Sequence, residues 1–257
     1  MKWLRISTIV SGISLRAMAR IAPCCSPVLE GRNPGRVYVD RKDTPSWAIV
    51  VLDFYATTFI GGTIDQQTLN NVFSKLRSDR TLALVWMPQA VQDIGPPSGR
   101  TSVIERLDFF DRAPRNDASN PWSQRIPGRS TIRQIDASLL ARCLWRDNIL
   151  DAFGTEERFL ANGLGYCLMR DDEILSEAYG VFRGAGRFEI GAITAEHHRG
   201  RGYAALTCTH LITTIEASGL STYWSCHRNN VASAATARKL GYQVERPYQF
   251  LVYERIS

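Results

Sequence analysis

A loop rich in glycine and arginine, residues 194–204 (TAEHHRGRGYA), limits the ways in which this chain can fold. Before it, residues 187–193 (RFEIGAI) alternate as a strand does, and after it apolar residues recur at helical spacing. The predicted order is therefore strand, loop, helix. The first N–H groups of a helix have no partner within it and lie at the positive end of its dipole, so they can bind a phosphate. Two glycines leave room for an anion and two arginines add charged donors: Gly200, Gly202, Arg199 and Arg201.

Spacing alone fits an ordinary tight turn as well as a phosphate site. The P-loop motif requires Gly-Lys-Ser/Thr, which this loop lacks, and the dinucleotide motif G-x-G-x-x-G fails because Ala205 replaces its third glycine. The loop does contain Arg-x-x-Gly-x-Ala, formed by Arg199, Gly202 and Ala204. This resembles the pyrophosphate-binding motif of the GNAT acyltransferases, which hold acetyl-CoA at such a helix N-terminus.

Charge and cysteine content narrow the possible partners and compartments. The net charge is +6, but no basic stripe interleaved with aromatic residues appears outside the N-terminus, so the sequence does not favour a nucleic-acid partner. The six cysteines form no C-x-x-C pair and no zinc-ligand spacing, which predicts a reduced compartment and no metal. No apolar run is long enough to span a membrane. We therefore expect a cytoplasmic protein, with mitochondrial import through the acid-free, basic residues 1–22 as the alternative.

The chain divides into segments of different composition. Strand-like runs and one amphipathic helix extend to about Phe110, followed by a polar stretch with three prolines and no periodicity. The sequence therefore predicts a basic segment at 1–22, an N-terminal α/β domain at 23–110, a linker at 111–128 and a second domain at 129–257. No internal repeat is found in the sequence.

The second domain resembles the GNAT fold over its whole length. Antiparallel strands lead to the glycine loop and its helix, and a further strand precedes a second helix that Asn230 opens and Gly241-Tyr242 closes. Glu189-Ile190 and residues 224–233 (WSCHRNNVAS) are similar to a two-domain GNAT acetyltransferase branch, which also has a preceding α/β domain. The resemblance implies an α/β (α+β) protein: a C-terminal GNAT fold with a mixed, splayed sheet, preceded by a smaller α/β domain.

The resemblance also implies a site for acetyl-CoA. Backbone N–H groups of the loop would hold the pyrophosphate, and Asn230 would make a second contact. Edge groups of Ile193 and Thr194 would pair with the pantetheine arm, as an added strand does. The implied cofactor-binding residues are Ile193, Thr194, Arg199, Gly200, Arg201, Gly202, Tyr203, Ala204, Asn230 and Ser233.

Acyl transfer to an amine requires a base, and Glu189 is the first candidate. It lies within a predicted strand on the face shared with Gly191 and Ile193. Glu177 on the neighbouring strand is the second candidate, although either carboxylate could instead be solvated, form a salt bridge or bind a cation. Cys226 is a third catalytic candidate, as a nucleophile, but His227 beside it in a strand points to the opposite face.

The general acid is where the chain departs from the family. Many GNAT enzymes place a tyrosine on the second helix where this chain has Ala237. Replacements are available nearby: Cys226, His227, Ser233 and Tyr242. The resemblance implies an N-acetyltransferase that moves an acetyl group from acetyl-CoA directly to a small-molecule or peptide amine. A non-catalytic acyl-CoA-binding or regulatory module is the alternative, and the oligomeric state stays open between monomer and homodimer.

Overall fold

The computed structural model describes residues 26–41, 45–54, 57–75, 82–85, 100–113 and 126–254. They form two compact units, which we call unit 1 (up to Glu105, and again from Tyr248) and unit 2 (Arg106–Pro247). The predicted basic segment at 1–22 and residues 114–125 of the predicted linker lie outside the described residues. No helix among the described residues is long and apolar enough to cross a membrane.

Unit 1 is an α/β unit with one helix crossing between parallel strands. Its strands are rich in β-branched and aromatic residues, and their buried side chains pack against one face of the crossover helix. Its elements are α1 (Ser26–Leu29), β1 (Gly35–Val39), β2 (Trp47–Leu52), β3 (Thr57–Gly62), α2 (Gln66–Lys75) and β4 (Leu82–Val85). Strands β1, β2 and β3 pair antiparallel, and β4 pairs parallel to β3.

Unit 2 carries the glycine loop. Its elements in chain order are β5 (Arg100–Arg112), β6 (Ser130–Gln134), α3 (Ala137–Leu140), α4 (Arg146–Phe153), α5 (Glu156–Asn162), β7 (Gly165–Arg170), β8 (Glu173–Gly184), β9 (Arg187–Thr194), α6 (Tyr203–Ala217), β10 (Ser221–His227), α7 (Val231–Leu240) and β11 (Tyr242–Glu254). Helices α6 and α7 bury their apolar side chains with one face of β9 and β10, in a core that includes Ile190, Leu211 and Trp224. This core fixes both helices on the sheet.

The sheet of unit 2 is mixed and splays apart near its centre. Strands β6 to β9 pair antiparallel, whereas β10 pairs parallel to β9. The β9–β10 pairing runs from Arg187–Ser221 to Ile190–Trp224, although both strands continue beyond it. A bulge in β8, between Gly180 and Arg183, lies beside the same stretch of β9. The predicted fold class, α/β with a mixed and splayed sheet in the C-terminal part, is confirmed.

The unit boundaries differ from the predicted domain limits at both ends. Residues 100–112 form a single strand, so a domain that ends at 110 would cut through β5. Residues 106–109 of β5 pair antiparallel with β10, whereas residues 250–253 of β11 pair antiparallel with β4. Strands β5 and β11 each cross a unit boundary: β5 passes from unit 1 to unit 2 after Glu105, and β11 returns to unit 1 at Tyr248. Composition could not show this, because strand pairing joins residues more than a hundred positions apart.

The two units repeat one topology that the sequence did not reveal. Unit 1 has three antiparallel strands (β1, β2, β3), a helix (α2), a strand parallel to the third (β4) and an antiparallel neighbour (β11). Unit 2 has the same order in β7, β8, β9, α6 and β10, with β5 as the antiparallel neighbour. The helix that follows the third strand is thus equivalent in the two units.

Candidate functional site

The N-terminus of α6 is open to an anion. Helix α6 begins after Gly202, which has a left-handed backbone (φ 81°), and no side chain caps it. The first helical hydrogen bond runs from the Leu206 N–H to the carbonyl of Gly202, so the N–H groups of Tyr203, Ala204 and Ala205 precede it. Gly200 is also left-handed (φ 79°), and a Cβ there would have no neighbour within 4 Å. The predicted strand, loop and helix are therefore present, with backbone donors at the loop end.

Side chains around the loop leave these backbone donors accessible. Arg199 and Arg201 are exposed, while the Tyr203 side chain is buried beside Arg170, with 3.4 Å between its hydroxyl and the guanidinium. Tyr203 can therefore contact a ligand through its backbone, not its ring. The ring of His198 lies 2.8 Å from the Glu173 carboxylate, which ties the preceding 3-10 turn, Glu196–His198, to β8.

Because the sheet splays, the last residues of β9 extend past the end of its pairing with β10. Residues 191–194 follow the last β9–β10 pair, and the side chains of Ile193 and Thr194 are half-buried. The Ser176 hydroxyl donates to the Ile193 carbonyl at 2.9 Å and lies 3.0 Å from the Thr194 hydroxyl. The strand is therefore fixed from the β8 side. Its other edge has the extended geometry that an added strand or an extended ligand arm requires.

Glu189 lies on the sheet face opposite the α6–α7 core, one residue before the last β9–β10 pair. The Tyr223 hydroxyl donates to its Oε2 at 2.8 Å. Burial raises the pKa of Glu189 to about 7, while the Arg106 guanidinium and the Tyr223 hydrogen bond lower it and the Asp108 carboxylate raises it. A carboxyl group with a pKa near 7 is suited to proton transfer at physiological pH.

Three residues beside Glu189 were not predicted as site residues. Tyr223 is its register partner on β10, and Arg106 and Asp108 come from β5. Arg106 donates to the Ser225 hydroxyl at 2.8 Å, and Arg246 lies 3.4 Å from Asp108. The sequence assigned β5 to the first domain, which hid this neighbourhood. The alternation of charged residues at 106 and 108 with apolar residues at 107 and 109 was the signal for a polar strand face.

Glu177 is engaged by the backbone of a neighbouring loop. It is fully buried, and its two carboxylate oxygens accept the N–H groups of Leu144 and Trp145 at 2.8 and 2.7 Å. Burial raises the pKa of Glu177, and these two hydrogen bonds oppose the shift. Glu177 pairs with Ile193, four residues along β9 from Glu189. These contacts favour a structural role, which anchors residues 144–145 to β8.

A buried cluster next to Glu177 has the residue types of a metal site. Among the described residues, Cys143, Cys167 and Glu177 place their ligand atoms within 4.8 Å of one another. The two sulfur atoms are 3.9 Å apart, and their hydrogen bond together with burial raises the pKa of the Cys143 thiol. Both Glu177 oxygens already accept backbone hydrogen bonds and the two sulfur atoms lie at hydrogen-bond distance, so packing and hydrogen bonding account for the cluster.

Cys226 and most of the candidate acids lie in packed surroundings. Cys226 is buried in the core with Ala234 and Ala237, and burial raises the pKa of its thiol. Ser233 accepts the Trp224 indole N–H at 3.0 Å, while the buried Tyr242 donates to Thr222 at 2.8 Å. His227 is exposed, in register with Arg106 on the face away from the core. The geometry therefore gives Cys226 no support as a nucleophile and leaves His227 as the accessible candidate acid.

Asn230 has a clear structural role at the start of α7. Its side-chain oxygen accepts the Ser233 N–H at 3.0 Å, which is the N-cap contact that the sequence pattern predicts. Its amide group is exposed, so a ligand contact through the nitrogen is compatible with the cap.

Comparisons with known proteins find a matching family model, a curated relative and similar solved structures. A family model described as GNAT acetyltransferase matches residues 21–251. The chain is 24% identical over 238 residues to "Uncharacterized N-acetyltransferase YdfB" of Bacillus subtilis (strain 168), with 86% of each chain covered. A GCN5-related N-acetyltransferase-like protein from Streptococcus suis 89/1591 has a similar structure, with TM-score 0.67, 21% identity and coverage of 93% of this chain and 99% of that one. A putative GNAT acetyltransferase from Novosphingobium aromaticivorans DSM 12444 has TM-score 0.56 and 17% identity, covering 81% and 89%.

Proposed function

The chain belongs to the GNAT acetyltransferase family, and we propose that it moves an acetyl group from acetyl-CoA directly to an amine acceptor. One observation carries the proposal: the uncapped N-terminus of α6 follows β9 after the loop 195–202, and the partly buried Glu189 lies within β9. The first can hold a phosphate, and the second can take a proton.

The residues around α6 fit the pyrophosphate of acetyl-CoA. The N–H groups of Tyr203, Ala204 and Ala205 point out of the first helical turn, and the N-cap residue Gly202 has no side chain to occupy them. The two left-handed glycines let the backbone approach closely, and Arg199 and Arg201 supply positive charge. The free edge of residues 191–194 would accept the pantetheine arm. Asn230 and Ser233 remain proposed as further contacts, the first through its exposed amide.

Glu189 is the proposed base. An amine acceptor arrives as an ammonium ion, which is not nucleophilic until it loses a proton. Glu189 with a pKa of about 7 can accept that proton, directly or through a water molecule, at neutral pH. When bound, acetyl-CoA supplies the activated acetyl thioester. The acceptor is proposed to be a small-molecule or peptide amine.

A second candidate function rests on Ala237. This residue is fully buried in the core, so α7 offers no hydroxyl at the position where many relatives have a tyrosine. A protein that binds an acyl-CoA without turning it over would explain the loss. Binding and turnover must therefore be measured separately.

Calorimetry with acetyl-CoA and thiol release on a panel of amines test the two functions. We expect binding, and a kcat/KM that rises with pH through about 7 because the base must be ionised. Glu189→Gln should bind acetyl-CoA normally but lose at least about tenfold in kcat, a typical contribution of a general base being about 10² to 10⁴. The matched control is Glu177→Gln. Its amide N–H₂ group would face one of the two backbone N–H donors that Glu177 accepts, so the variant should be less stable. Its pH profile of kcat/KM should match that of the wild type. Absence of acetyl-CoA binding would refute both functions, and an active Glu189→Gln enzyme would refute the base.

A further inference from the structure

We infer that Tyr223 is a positioning residue, whose hydroxyl orients the Glu189 carboxylate and stabilises its ionised form. The inference rests on the proposed function and extends it, because it names the residue that orients the proposed base, Glu189. It concerns Tyr223 on β10, which is not among the site residues that the sequence predicts.

Backbone register fixes the two side chains next to each other. Tyr223 and Glu189 are direct partners in the parallel β9–β10 pair, so both side chains leave the same face of the sheet. Packing then holds the tyrosine ring, which is 6% exposed and stacks on Phe110 with 6.0 Å between ring centroids. Burial and this stacking limit the directions in which the ring can place its hydroxyl, which lies 2.8 Å from Glu189 Oε2.

The charged groups around Glu189 act in opposite directions. From β5, Arg106 favours the carboxylate and Asp108 opposes it, while Arg246 on β11 partly neutralises Asp108. From β10, Tyr223 donates directly, and His227 is in register with Arg106. The bulge of β8 presents Val181 and Phe182, which are buried and apolar. Burial raises the pKa of Glu189, and the Arg106 guanidinium opposes this shift most, followed by the Tyr223 hydroxyl, which donates a hydrogen bond to the carboxylate itself.

Another buried tyrosine provides a matched comparison. Tyr242 also lies in unit 2, is 5% exposed and donates at 2.8 Å, but its acceptor is the uncharged hydroxyl of Thr222. Loss of either phenol oxygen removes one buried hydrogen bond. Only the loss at Tyr223 changes the balance between the charged and neutral forms of a carboxyl group.

Carbon-13 NMR of the full-length protein with labelled glutamate carboxyl groups tests the inference without substrate. The Glu189 signal is the one lost in Glu189→Gln, and its pKa in the wild type is expected at about 7. Tyr223→Phe should raise this pKa by about one unit, because it removes a hydrogen bond to a charged group. Tyr242→Phe should leave it unchanged. Asp108→Asn, which keeps the Tyr223 ring in place, should lower it by removing a like charge.

The same variants should move the acid limb of the kcat/KM profile in the same directions. An unchanged Glu189 pKa in folded Tyr223→Phe, or an equal shift in Tyr242→Phe, would overturn the inference. If Tyr223→Phe does not fold, 3-fluorotyrosine placed at position 223 alone keeps the hydroxyl and makes it a stronger donor, so it should lower the Glu189 pKa; an unchanged pKa would overturn the inference. A shifted pKa in a protein that acetylates no amine would instead leave the inference standing and refute the proposed function.

Discussion

At the scale of single residues, the burial that suits Glu189 to accept a proton also lowers the stability of the folded protein once Glu189 ionises. Burial raises its pKa from the ordinary 4.5 to about 7, so the folded state favours the neutral carboxyl. The stability that this preference gives is present below the unfolded pKa of about 4.5 and is lost as the pH rises through about 7. Above that range, unit 2 carries a partly buried ionised carboxylate.

Glu189→Gln should therefore gain stability relative to the wild type as the pH rises, because glutamine does not ionise. Urea unfolding at several pH values between about 5 and 8 measures the difference, which should grow across this window and level off above it. Glu245→Gln, an exposed position in an ion pair with Arg238, is the control that should show no such growth. A difference independent of pH would show that Glu189 is not strained by burial.

Asn230 caps α7 and is proposed to contact acetyl-CoA, and two variants can separate these two functions. Asn230→Ala removes the acceptor for the Ser233 N–H and should cost about 1 kcal/mol of unfolding free energy, as lost N-caps do. Asn230→Asp keeps the acceptor but removes the amide N–H₂ group, so it should retain the stability. If the amide contacts acetyl-CoA, both variants raise the KM for acetyl-CoA, measured by initial rates. A normal KM in Asn230→Asp would leave Asn230 as a cap only.

At the scale of secondary-structure elements, the loop before α6 depends on left-handed glycines. Gly200→Ala should cost about 1 to 2 kcal/mol, because the added Cβ disfavours positive φ even though it has open space around it. Gly186 in the β8–β9 turn is a matched control: its φ is +73°, and a Cβ there also meets nothing within 4 Å. Both alanine variants should lower the unfolding free energy similarly, but only Gly200→Ala should raise the KM for acetyl-CoA. Equal KM values would mean that the loop conformation does not serve binding.

Local patterns predicted the elements of this site well, because they depend on neighbouring residues. The alternation of residues 187–193, the glycines before α6 and the Asn230 cap each act within a few positions. The Glu189 neighbourhood could not be predicted, because Arg106 and Asp108 reach it through pairing with a strand more than a hundred residues away. The boundaries between units 1 and 2 fall within strands β5 and β11, which the composition of the sequence does not indicate.

At the scale of the whole molecule, the repeated topology raises the question of a second cofactor site. In unit 1 the equivalent helix is α2, which follows β3 as α6 follows β9. Its N-terminus differs, because Asp65 caps it: Oδ1 accepts the Thr68 N–H at 2.7 Å and Oδ2 accepts the Thr68 hydroxyl at 2.7 Å. The hydrogen bonds from Thr68 lower the pKa of Asp65, which therefore stays ionised at neutral pH. A carboxylate at this position occupies backbone donors and repels a phosphate.

We therefore expect acetyl-CoA to bind to unit 2 alone, with a stoichiometry of about one per chain in calorimetry. Gly200→Ala should weaken that single site without exposing another. Asp65→Asn is the matched test of unit 1, because it removes the negative charge but keeps an acceptor for the Thr68 N–H. Helix α2 should therefore persist. Because its first N–H groups stay occupied by the cap, the stoichiometry should stay at about one. Two equivalents of acetyl-CoA bound to the wild type would contradict the expectation that the Asp65 cap prevents binding at α2 in unit 1. Two equivalents in Asp65→Asn only would identify the Asp65 carboxylate as the group that confines the cofactor to α6.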